Sequence, residues 1–84
     1  MKSNTLEKWE QAIQIGNRIY RLQPNAQVAL INSLSYAILG QAKPSMGWLR
    51  SAIQMGLPDL SSVINKREYD AIRQSTEFQV LLRS

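Results

Sequence analysis

The sequence contains no cysteine and no histidine. Without thiolates or imidazoles there is no disulfide, no zinc or iron–sulfur ligand set, and no Ser-His or Cys-His pair within the chain. No apolar run approaches the roughly 18–20 residues of a membrane-spanning helix. The start, MKSNTLEKWEQ, has a lysine but neither the apolar stretch nor the cleavage site of a secretory signal, so a cytoplasmic protein is expected. Four glycines and three prolines are too few for a low-complexity or disordered chain. Blocks of like charge are also missing. The ten basic and six acidic residues give a net charge of +4 but are dispersed, the tightest groups being Lys66–Arg67 and the pair Arg18 and Arg21. This reads as a solvated basic surface. A nucleic-acid surface would require the arginines to gather on one face and binding that falls steeply with salt. The carboxylates form no paired constellation and no glycine-rich phosphate loop is present, so neither catalysis nor a cofactor is expected.

What the sequence does have is helical period. Its 84 residues, 44% apolar and 19% charged, fit one small domain spanning 1–84. A chain of this size buries only about 60–65% of the surface exposed when unfolded. Asn4 is a candidate cap for a first helix over 4–22, with Glu7 in the capping-box position. Leu6, Trp9, Ile13, Gly16 and Tyr20 recur at spacings of three and four, and Ala12 and Ile19 widen the stripe. Pro24 ends that helix, and Asn25 is a good cap for the next. Val28, Ile31, Leu34 and Ile38 carry the periodic apolar face of the second helix, with Gln27, Asn32, Ser33 and Ser35 as its few polar positions. Gly40 closes it, Pro44 starts a third helix, and Gly56 closes that one. The link between the two is short enough to make them an αα-hairpin. Beyond it, Asp59 and Ser75 are candidate caps of short helices, with Leu60, Val63, Ile64, Tyr69, Ile72, Phe78, Leu81 and Leu82 inward.

Small residues lie where such helices would meet: Ser33 on the second, Ser45 and Ala52 on the third. Larger side chains there would force the axes apart. The stretch 26–58 resembles a tetratricopeptide repeat, on Ala29, Asn32, Ser33 and Tyr36, then Gly40, Ser45, Leu49, Ala52 and Pro58. Ala29 stands in place of the large aromatic and Asn32 in place of leucine, and the proline comes one residue late. Ala12, Gly16, Ile19 and Pro24 have the spacing of the second helix of a preceding repeat. Residues 59–84 resemble the segment that closes such arrays. The resemblance covers about residues 9–82.

The resemblance implies an all-α fold, a short tetratricopeptide-like helical hairpin array with small C-terminal capping helices. It also implies a protein-interaction scaffold. By position, the groove-facing residues are Gln27, Leu30, Leu34, Ala37 and Ile38, and the bare alternative for each is ordinary core. Repeats bury their apolar faces only against neighbours. The incomplete first repeat is therefore expected to expose Leu6, Trp9, Ile13 or Tyr20 to another chain, either a second copy or a different protein's helix. Three readings stay open: a small adaptor or chaperone, an immunity- or antitoxin-like protein, or the C-terminal interaction region of a larger regulator or enzyme.

Overall fold

The computed structural model describes residues 5–83, with side chains from residue 7 onward. Helix α1 (Thr5–Leu22) leads into α2 (Ala26–Ile38) and α3 (Ala42–Gln54). These are followed by the short α4 (Leu60–Ile64), a 3₁₀ helix (Arg67–Ile72) and α5 (Thr76–Arg83). No strand occurs among the described residues, and the chain is all-α.

Local chemistry explains the boundaries. Pro24 interrupts the chain, and the Asn25 side chain accepts from the Val28 amide at 2.9 Å, capping α2. Both hairpin helices then end in the same way. Gly40 and Gly56 take left-handed φ values of 77° and 94°. The amide of the residue after each glycine returns to a carbonyl five residues back, Gln41 to Tyr36 and Leu57 to Ala52, each at 3.0 Å. Each glycine amide bonds the carbonyl three back, which completes two Schellman motifs. Helix α3 begins at Ala42, earlier than the expected start at Pro44. The proline sits in the first turn, where a missing N–H breaks no intrahelical bond. Asn4, the proposed cap of α1, lies outside the described residues.

Helix α2 is the centre of the molecule. Helix α1, helix α3 and the 3₁₀ helix all pack on it, and α5 packs on α3. The molecule measures 43 × 32 × 19 Å. Its thinnest dimension is about two helix diameters of ~10 Å, so the outer faces of flanking helices meet solvent. The core holds Leu49, Tyr69 and Phe78, all fully buried, with Ala29, Ala37 and Ala52. One sequence expectation is corrected here. The buried side of α2 carries Ala29, Leu30, Asn32, Ser33, Ser35 and Ala37, whereas Ile31 is 49% exposed. Flanked on two sides, α2 presents its small residues to its neighbours, and the bulky Val28, Ile31, Leu34 and Ile38 are displaced toward the edge.

A buried chain of hydroxyls crosses this core. Ser45 donates to the Ser33 carbonyl at 2.7 Å. The Ser33 hydroxyl lies 3.2 Å from that of Ser45 and 2.8 Å from the Tyr69 hydroxyl. One set of donations uses each proton once: Tyr69 to Ser33, Ser33 to Ser45, and Ser45 to the Ser33 backbone. The small serines therefore allow close approach of α2 and α3 and also tie both to the 3₁₀ helix.

The α1–α2 contact is tighter and less well satisfied. A Cβ at Gly16 would lie 2.0 Å from Asn32 Oδ1 and 3.0 Å from its Cγ. Asn32 is fully buried, and neither its Oδ1 nor its Nδ2 has a hydrogen-bond partner. A desolvated, unpaired amide destabilises by about 1–3 kcal/mol. Gly16→Ala should therefore force Asn32 aside and destabilise the chain by about 1–3 kcal/mol. Adding Asn32→Ala should recover much of that loss. Urea titration of the two single variants and the double variant checks this. Simple additivity would show that the two residues do not share the contact.

In the closing segment Ser75 caps α5 as expected, accepting from the Phe78 amide at 3.1 Å. Asp59 does not cap α4 with its side chain. It adopts a left-handed φ of 53°, which leaves its carboxylate making no capping bond. Leu82 is 44% exposed and is not inward, because Phe78 and Leu81 already fill the covered face of α5. Arg73 clasps the segment: its guanidinium donates to the Ile64 carbonyl at 2.9 Å and the Lys66 carbonyl at 3.1 Å. It also pairs with Asp70 at 3.0 Å and lies 5.4 Å over the Phe78 ring.

Candidate interaction surface

Helix α1 has two apolar stripes. Ile13 and Gly16 are buried against the neighbouring helix, with Trp9 and Tyr20 half-buried beside them. At about 100° per residue, Ile15, Ile19 and Leu22 fall within about 60° of arc on a different face. They are 59%, 45% and 79% exposed. Arg18 borders this face and is itself exposed. With Ile31 on α2, the first two helices show four large aliphatic side chains to solvent. Singly such residues are ordinary, but a helical stripe of them is not.

The candidate residues fare unevenly. Ile13, Leu30 and Ala37 are buried and belong to the core, so the expected exposure of Ile13 is corrected. Tyr20 is not free either: its ring meets Trp48 edge to face at 4.8 Å, and its hydroxyl lies 3.7 Å from Met55 Sδ. These contacts cover Tyr20 near the C-terminal end of α1. Leu34 is half-buried against the core. Trp9 and Ile38 are half-buried, Ile38 beside Arg67 and Glu68, and Gln27 is exposed. The Leu6 side chain lies outside those described. Of the predicted set with described side chains, then, Gln27 is exposed and Trp9, Tyr20, Leu34 and Ile38 are partly covered. Ile15, Leu22 and the exposure of Ile19 and Ile31 were missed. Their three-and-four spacing was visible, but the stripe bearing the aromatics was the more obvious one.

The remaining chemistry is sparse. Among the described residues no three His, Cys, Asp or Glu gather as a metal site, and no helix is long and apolar enough to cross a membrane. Among the described residues, Tyr69 is the titratable group with a clear perturbation. Burial pushes its phenol up to about 12, the Ser33 hydrogen bond opposes that, and Glu68 adds to it. A phenol held protonated inside a hydroxyl chain is structural chemistry. Searches of family models, curated proteins and solved structures return no match for this chain.

Proposed function

We propose that the chain is a non-catalytic, tetratricopeptide-like interaction module that holds an apolar helix of another protein against the outer face of α1. The observation that carries this reading is the exposed stripe Ile15, Ile19 and Leu22. The residue pattern over 26–58 and the serine-lined α2–α3 hairpin support the tetratricopeptide part. A cytoplasmic location and an adaptor or chaperone role belong to the same reading. So does the absence of catalysis, on the grounds given by composition. A nucleic-acid role draws on the charge of +4 alone, and the apolar stripe gives it no help.

Site-specific photo-crosslinking in cells that make the protein tests the reading. A crosslinker at position 22 should give one discrete protein adduct, and one at the exposed position 54 on α3 should not. Ile19→Asp should abolish the adduct while leaving the circular dichroism unchanged, since an exposed substitution shifts stability by only about 0.5 kcal/mol. An adduct at twice the chain mass would identify a second copy as the occupant. No adduct, or one that survives Ile19→Asp, would defeat the proposal.

A further inference from the structure

The inner side of α1 is weakly attached. Among its described side chains only Ile13 and Gly16 are buried. Ile13 stands outside the contiguous apolar core that joins α2, α3 and the closing segment, and the half-buried Tyr20 packs against that core from its edge. Where Gly16 meets α2 it faces the Asn32 amide, which is fully buried with no partner at either end. A glycine inside a helix also weakens α1 itself. By contrast, the hydroxyl chain through Ser45, Ser33 and Tyr69 ties α2 to α3 and the 3₁₀ helix without any contribution from α1. The joint is independent of docking as well. Gln23, Pro24 and Asn25 are exposed, and Asn25 caps α2 from within this joint, so α2 keeps its cap if α1 leaves.

We propose that α1 is a strap that lifts off α2 as one unit while α2, α3 and the closing segment stay folded, and that the orphaned Asn32 amide keeps its closed position shallow. Lifting α1 hydrates both ends of that amide, so the desolvation cost exists in the closed state alone. The rest of the molecule loses none of its hydroxyl chain and none of the Arg73 clasp. Elements that move in regulation are drawn from such low-stability units. The closed strap holds Trp9, Ile13 and Tyr20 against the protein, and lifting frees them. A partner that needs these side chains binds in proportion to the open fraction. The inference goes beyond the reading of the Ile15–Leu22 face, which is exposed with the strap closed, so either can fail without the other.

Native-state hydrogen exchange on the full chain, labelled with nitrogen-15, tests this. A lone helix of 18 residues is marginal in water, so the amides of α1 exchange once it lifts. The central amides of α1 should share one opening and be about tenfold or more less protected than the slowest amides of α2 and α3. Tyr69→Phe should lower protection in α2 and α3 by about fivefold, the loss of one net hydrogen bond, and leave α1 unchanged. Both strap positions contain the hydroxyl chain, so that variant does not favour either. Asn32→Ala should raise α1 protection by about fivefold or more, and Gly16→Ala should lower it by a similar factor. Equal protection in α1 and α2 that falls together in Tyr69→Phe would show that α1 leaves only when the whole chain unfolds. A graded loss from one end of α1 would show fraying. Unchanged or lower α1 protection in Asn32→Ala would show that the amide does not set the opening. Each of these three results would overturn the proposal.

Discussion

Phe78→Ala is expected to destabilise the chain by about 3–5 kcal/mol, the range for deleting a fully buried aromatic side chain. Phe78 is completely buried, with the Tyr69 ring 5.6 Å away and the Arg73 guanidinium 5.4 Å over its face. Its removal opens a cavity between α5 and the 3₁₀ helix and takes away the ring on which the Arg73 clasp rests. A domain of 84 residues has a total stability of about 4–13 kcal/mol at typical per-residue values. The variant should therefore be close to unfolding at room temperature. Urea unfolding would give the loss directly, and hydrogen exchange should show the amides of Thr76–Arg83 losing protection before those of α2. A loss below about 1 kcal/mol would mean that the closing segment does not depend on this ring.

The effect should be large because the closing segment is held by long-range contacts, and these are what the sequence concealed. Boundaries were readable where they depend on one or two adjacent residues: Pro24 with Asn25, Gly40, Gly56 and Ser75. Period was readable too, since α1, α2 and α3 all follow it. Period says which residues share a face, but not which face another helix will cover. Helix α1 offered two apolar stripes, and only packing decided that Ile13 is buried while Ile15 and Ile19 are exposed. On α2 the covered side proved to be the one with serines and Asn32. Ser33 and Ser45 were legible as small residues at a helix contact, but not as members of a hydrogen-bonded chain. The partners of Ser33 are Ser45, 12 positions away, and Tyr69, 36 positions away. Arg73 looked like a surface charge for the same reason, because its acceptors lie on the carbonyls of Ile64 and Lys66. The Ile15–Leu22 face was legible as spacing and illegible as exposure.

Tyr69 turns that hidden network into a pH-dependent quantity. An unperturbed phenol titrates near 10, and in the folded chain desolvation raises this one to about 12. Below pH 10 the group is protonated in both states, and its contribution to stability is intact. As pH rises through 10 the unfolded chain loses the proton first, so unfolding releases a proton and stability falls. The decline ends near pH 12, where the folded state ionises as well. Two units correspond to about 3 kcal/mol in total. Tyr69→Phe removes the titration together with the donor to Ser33. At neutral pH it should cost about 1 kcal/mol, a typical net hydrogen bond, because Ser33 keeps its contact with Ser45. Between pH 10 and 12 the variant should lose less stability than the parent, and near pH 12 the order of the two should reverse. Parallel urea titrations at neutral pH and at several points across that window would show the crossing. Curves that stay parallel throughout would mean that the phenol is free to ionise in the folded state and that the hydroxyl chain does not hold its proton.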